Sequence, residues 1–281
     1  MSESTWAQAW TRFRRHRSAL FGGVILLFYI IIALLAPYIS THDPIAQSPA
    51  ERFSSPGSEF WFGSDEIGRD IYSRSVWGTR VSLLMGLSAV GIGLAVGVPT
   101  GLIAGFYPKL DQFLMRIVDV MMAFPGILLA LAIVAALGPS LQNAMIAVGV
   151  QSIPAFVRIT RASVLGVKEH KYVETAQAVG ASDFRIIVRH ILPNSIASVV
   201  IYGTLMMGSA ILYAATLSFL GLGAQPPTPE WGAMVASARD YLRIAPHMMY
   251  FPVALIFTTV LAFNFLGDGL RDALDPKSSS S

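Results

Sequence analysis

Long runs without a charged side chain dominate the chain. They extend from Ser18 to His42, Val81 to Pro108, Val120 to Val157, Ile191 to Pro229 and Ile244 to Gly267. A bilayer-spanning helix needs about 20 predominantly apolar residues, so each run is long enough to cross. The third is too long for one helix and carries the turn signal Gly138-Pro139-Ser140. The pattern therefore predicts six transmembrane helices, at about 19–39, 81–105, 114–137, 141–163, 196–220 and 247–267. Arg12, Arg14, Arg15 and Arg17 precede the first run in the manner of a signal peptide. Its apolar core, Ala19 to Ala36, exceeds the usual h-region of 7–15 residues and no A-x-A site follows, so an uncleaved anchor is expected.

Composition agrees with that pattern. Apolar residues make up 54% of 281, charged residues only 13%, against about 25% in a typical soluble chain. Such a chain has too little charge to cover a soluble surface and too much apolar character to stay disordered. Cysteine is absent, which excludes disulfide frameworks, Cys-ligated metals and thiol catalysis. The net charge of +3 comes from local clusters, so nucleic acid is not an expected partner. With both termini cytoplasmic, fourteen basic residues fall inside and six outside, while acidic residues divide nine to eight; Lys and Arg set orientation, and this one is expected.

Within the spans, four features stand out. Gly93, Gly97, Gly101 and Gly105 recur every four residues and predict a closely packed neighbouring helix on that face; Pro99 suggests a local bend. Asp119 lies in the third span with Arg116 three residues before it, a spacing that allows an ion pair on one helix face. In the fifth span Tyr202, Met206, Ser209, Tyr213 and Thr216 share one face, either lining a path for a polar solute or making an interhelical contact. Pro226 to Ile244 is expected to hold a short helix at the outer interface, where Trp231 and Tyr241 serve as anchors or as a docking surface for a partner. Residues 40–80 read as an ordered outer segment, since Ile67, Ile71 and Trp77 suit a packed surface.

Lys168 to Asn194 is too polar to span. Tyr172 to Val179 reads as a helix capped by Gly180, and Ser182-Asp183 opens a second, Phe184 to Ile191, stopped by Pro193. Glu174-Thr175-Ala176, then Gly180, then Leu192-Pro193 resemble the EAA loop of bacterial ABC importer permeases, with Thr175 in place of the usual Ala and His190 in place of the usual Ile. Phe62 to Asp70, with Ser64 where Thr is common, the run Phe219 to Gly223, the turn Gln225 to Gly232 and the tail Asn264 to Pro276 are similar to segments of the C-type permease of dipeptide and oligopeptide importers. These blocks cover nearly the whole chain in order.

The resemblance implies an all-α integral membrane protein with six transmembrane helices, the type I ABC importer permease fold and cytoplasmic coupling helices. It implies a division into 1–40 (N-terminus and first helix), 41–80 (extracytoplasmic), 81–268 (permease core, coupling segment 168–194) and 269–281 (cytoplasmic tail). Glu174, Thr175, Ala176, Gly180, Leu192 and Pro193 would then couple to the ATPase. The implied partners are a second homologous permease chain, two P-loop ATPase subunits and an extracytoplasmic solute-binding protein, within the lipid of the cytoplasmic (inner) membrane. This chain has no G-x-x-x-x-G-K-[ST], so no cofactor of its own is expected, ATP and Mg being held by the ATPases. Nor is a metal site: the histidines do not cluster. The expected cargo is a dipeptide or short oligopeptide, the alternatives a nickel chelate or glutathione. A secondary transporter would need mid-membrane ionisable residues, and apart from Asp119 the spans hold almost none. An intramembrane enzyme would need an HExxH, paired carboxylates or a Ser–His pair on neighbouring spans, and the sequence offers none.

Overall fold

The first long helix, α1 (Arg17–Ile39), starts at His16, whose imidazole accepts the Ala19 N–H, and it packs along the last helix, α10 (His247–Leu274). Glycine makes their approach close: a Cβ on Gly22 would meet the Ala262 carbonyl at 2.6 Å. Tyr29 bonds Thr258 at 2.5 Å, and His16 pairs with Asp272 at 2.9 Å, which brings the two ends of the described chain to one side. The computed structural model describes residues 16–274 together with Thr11, Phe13 and Arg14; Arg12, Arg15 and the ends of the C-terminal block, Asp275 to Lys277, lie outside the described residues.

Between these helices run α2 (Ile71–Phe106), α3 (Pro108–Met122), α4 (Gly126–Leu137), α5 (Leu141–Lys168), α6 (Lys171–Ala178), α7 (Asp183–Ile186), α8 (Leu192–Phe219) and α9 (Trp231–Ala238). Among the described residues the only strand-like pairing is a single bridge between Ser64 and Asp70. Four helices, α1, α2, the run from Asp183 through α8, and α10, are long and apolar enough to cross a membrane, five spans if α3 and α4 together make one. The 28-residue α5, expected as a span, falls outside that set because Gln142, Asn143, Gln151 and Arg158 dilute its apolar character.

The glycine ladder has the neighbour its spacing predicts. A Cβ on Gly97 would stand 2.5 Å from Phe156, on Gly101 2.6 Å from Thr160, and on Gly105 2.6 Å from Val164, while Gly93 abuts Ser152. All four partners lie on α5, also four residues apart, so α2 and α5 run parallel with backbones nearly touching. Such packing suits helices in lipid, where dispersion rather than water expulsion drives association.

Three expectations need correction. The third span is not one helix: α3 and α4 meet at 87° across Ala123–Pro125. Pro125 lacks an N–H and disfavours α geometry in Phe124, and the charge-free run concealed this break. The second span starts ten residues early, because Asp70 caps it by accepting the Tyr72 and Ser73 N–H groups. Arg74 on the added turns is buried, donating to the Pro44 carbonyl at 2.9 Å, 3.6 Å from Asp65. Pro193 does not stop a helix. A π-helical turn, Ile187–Ile191, carries α7 straight into α8, and Pro193 falls in the first α-turn, where a missing N–H is tolerated.

Candidate functional site: an inner helix pair and a central cavity

The 168–194 segment begins as α5 ends. In α6, Glu174 and Thr175 are exposed and Ala176 half-buried. Gly180 takes φ +80°, with its N–H on the Gln177 carbonyl and the Ala181 N–H on the Ala176 carbonyl. This is the Schellman arrangement, in which a left-handed residue satisfies carbonyls left over at a helix end; a side chain there would be strained. Nothing lies within 4 Å of a Cβ at Gly180, so the turn faces open space. Val179 and Phe184 flank it, each 77% exposed. Leu192 is half-buried and Pro193 exposed at the start of α8.

The segment's other face is anchored. Val173, Ile186 and Ile191 are buried against Phe106, Val164 and Val167 at the ends of α2 and α5. Lys168 donates to the Phe106 carbonyl at 2.8 Å and lies 5.2 Å over its ring. Desolvation and, second, a hydrogen bond to the Asp183 carboxylate hold the Tyr107 phenol above its ordinary pKa. One rung outward, Arg161 grips Asp111 with two bonds of 2.5 and 2.6 Å, and Arg158 meets Asp119 at 2.6 Å. Asp119 is thus paired across to α5 rather than with Arg116 on its own helix, a partner 39 residues away that local spacing did not reveal.

The break between α3 and α4 borders a cavity of about 680 Å³. The residues at the break, Met121, Met122, Phe124, Pro125 and Gly126, form one wall. On α8, Tyr202, Met206, Ser209 and Tyr213 of the sequence-derived stripe form another, while Thr216 lines a separate apolar pocket with Phe219 and Phe257 and bonds its own Leu212 carbonyl. Tyr202 is fixed edge-on to Phe156 at 4.9 Å, so the cavity wall leans on the α2–α5 seam. Gln151 and Ser152 of α5 and Asn264 of α10 complete the polar lining. Sequence reading missed Gln151, Gly126, Met121 and Met122. The adjacent Gln-Ser pair inside a charge-free run was the available signal.

Residues 41–80 and the α8–α10 connection pack as one cap. Trp231 is fully buried, its indole N–H on the Ser75 carbonyl at 3.1 Å, and Met234 is buried beside it. Trp231 is therefore a core residue and not an interfacial anchor. Buried Glu230 caps α9 through the Gly232 and Ala233 N–H groups and accepts from Ser82. Burial pushes its carboxyl pKa up, opposed by those bonds. Phe62 stacks on Phe251 at 3.9 Å, and His247 approaches the Ser64 carbonyl at 3.2 Å. Among the described residues no group of three or more His, Asp or Glu is placed to hold a metal.

An all-helical bundle crossing the membrane, an apolar-and-neutral central cavity and a buttressed helix pair with one face bare define a membrane transport permease. Residues 97–280 match the family described as binding-protein-dependent transport system inner membrane component, and residues 4–56 match the N-terminal TM domain of oligopeptide transport permease C. The chain belongs to this family, as a permease subunit of an ABC importer and not an enzyme. It is 49% identical to a glutathione transport system permease protein GsiD of Pectobacterium atrosepticum over 98% of this chain and 92% of that one. With a dipeptide transport system permease protein DppC of Alkalihalophilus pseudofirmus it shares 46%, over 99% and 91%. In fold it is similar to inward-facing structures of the MetNI methionine ABC transporter, with TM-scores of 0.60 and 0.62 at 21% and 20% identity, covering 72% and 73% of this chain and 96% and 98% of theirs.

Proposed function

We propose that this chain is the C-type permease of an importer of short peptides. It pairs with a second homologous permease chain, receives motion from two P-loop ATPases that hold ATP and Mg, and takes its cargo from an extracytoplasmic binding protein. Both termini and the 168–194 segment face the cytoplasm, 81–268 form the permease core, 41–80 lie outside, and 269–281 are a cytoplasmic tail. The relatives named for dipeptides and for glutathione support the cargo class, both being small molecules joined by amide bonds.

The observation that carries the coupling role is the continuity of α7, the π-turn and α8. Asp183 to Phe219 is one helical run of 37 residues. At 1.5 Å per residue, roughly 16 Å separate Ile191 from Tyr202 at the cavity. Closure of the ATPases on Glu174, Thr175, Ala176 and Gly180 would push this run at Leu192-Pro193 and tilt the wall formed by Tyr202, Met206, Ser209 and Tyr213. ATP drives that switch only by binding one of the two arrangements more tightly.

Purification of the tagged chain from its own membranes in mild detergent, with mass spectrometry of the proteins retained, tests the assembly. A second permease and P-loop ATPases are expected; a chain reproducibly free of ATPases would refute it. Competition between dipeptides and glutathione for uptake by that complex then distinguishes the two cargo readings.

A further inference from the structure

Gln151 stands on α5 at the cavity wall, facing the break between α3 and α4. Its Oε1 occupies the space a Cβ on Gly126 would take, so a larger residue at position 126 would displace the carboxamide. Its Nε2 is buried and has no hydrogen-bond partner among the described residues. Buried donors are rarely left unpaired, and leaving one so is costly. The other polar groups of the wall are differently placed. Ser152 donates to the Gly149 carbonyl at 2.7 Å, and the Tyr202 hydroxyl points to Met206 Sδ at 3.5 Å. The lining holds no Asp, Glu, Lys, Arg or His. A fully ionised group pressed against it would find no counter-charge, whereas a neutral carbonyl dipole would find a donor.

We propose that Gln151 is a specificity-determining residue of the cavity, its carboxamide N–H pairing with a peptide-bond carbonyl of the passing solute, with the methionines of the break adapting to variable side chains. This rests on the cavity being the solute path. Recognition of the amide bond, common to all short peptides, would leave side-chain identity unread by this wall.

The test uses the whole importer in proteoliposomes, with its own binding protein, and compares uptake of dialanine and its thioamide counterpart, whose sulfur is a poorer acceptor. The wild type is expected to show a KM about three- to tenfold lower for the amide, the fold-change of one neutral hydrogen bond. Gln151→Met abolishes that ratio. Gly126→Ala, which displaces the carboxamide, should do the same if Gln151→Met fails to assemble. An amide-to-thioamide ratio unaltered in either variant overturns the assignment. Because the chain contains no cysteine, Ser209→Cys offers a separate control on the path. If a charged thiol reagent blocks uptake in that variant, relative to the wild-type complex, while the ratio persists in Gln151→Met, only the Gln151 role falls. If labelling leaves uptake untouched, the pathway reading fails and this inference with it.

Discussion

The cap built from residues 41–80 and 226–246 and the α6–α7 helix pair differ in design. In the cap, Asp65 is held by Arg69 Nε at 2.5 Å, Asp70 accepts from Thr41 and Ser73, and Glu230 is enclosed by N–H and hydroxyl donors. Trp231 closes the centre with no exposed surface. In the α6–α7 pair only one face is packed; Val179 and Phe184 stand in the open around a glycine in the left-handed conformation. The cap pairs these charged groups within the chain, though Glu66 Oε2 and Ser75 Oγ are buried with no partner among the described residues. A surface that leaves large apolar side chains exposed beside a fixed turn has the character of half an interface, which is what a coupling element requires.

The contrast is tested most severely by truncating one apolar side chain in each region. Trp231→Ala should cost about 3–5 kcal/mol, seen as a large fall in the thermal midpoint in detergent. Phe184→Ser should change stability by no more than about 0.5 kcal/mol yet reduce the ATPase retained on purification. A reversed order of stability effects would remove the distinction between the regions.

Gly180→Val should cost about 1–2 kcal/mol, because a β-branched residue resists φ +80°. The strain falls on α6 and α7, so ATP hydrolysis should persist while solute uptake drops sharply; normal uptake by an assembled Gly180→Val complex would count against the coupling role. For Glu230 the readout is pH. Its folded-state pKa is raised by burial above the ordinary glutamate range, so the native protein binds more protons than the unfolded chain between the two values. Its contribution is therefore fully present below the unfolded pKa and lost as pH rises through the folded one. The midpoint of wild type relative to Glu230→Gln should decline with rising pH across that window; a constant difference would argue against the shift. The smallest effect is expected at the exposed Arg158–Asp119 pair, where Arg158→Ala should cost at most about 1 kcal/mol, less than the same change at the half-buried Arg161.

How much of this was legible in sequence follows from the range of the interactions involved. The glycine ladder and the Gly180 cap were readable because each is governed by residues within one or two turns. The ladder's partner, α5, was not, since its matching face of Ser152, Phe156, Thr160 and Val164 carries no repeated residue type. The Asp119–Arg158 pair and the burial of Trp231 and Arg74 all depend on groups far apart in sequence. The α3–α4 break was signalled by Phe124-Pro125 but outweighed by apolarity. Of the stripe on α8, Tyr202, Met206, Ser209 and Tyr213 share one cavity wall, while Thr216 lines a second pocket together with Gly232 and Val235 of α9.

The central claim is that the bare face of α6 and α7 seats on an ATPase and transmits its closure. The absence of native cysteine permits a direct measurement: Thr175→Cys, exposed on α6, cross-linked in native membranes with a short thiol-to-amine reagent, with and without ATP. The account predicts a product with a P-loop ATPase subunit whose yield changes when nucleotide is added. Absence of that product, while a cysteine placed in the cap reacts equally well with the same ATPase, would contradict it.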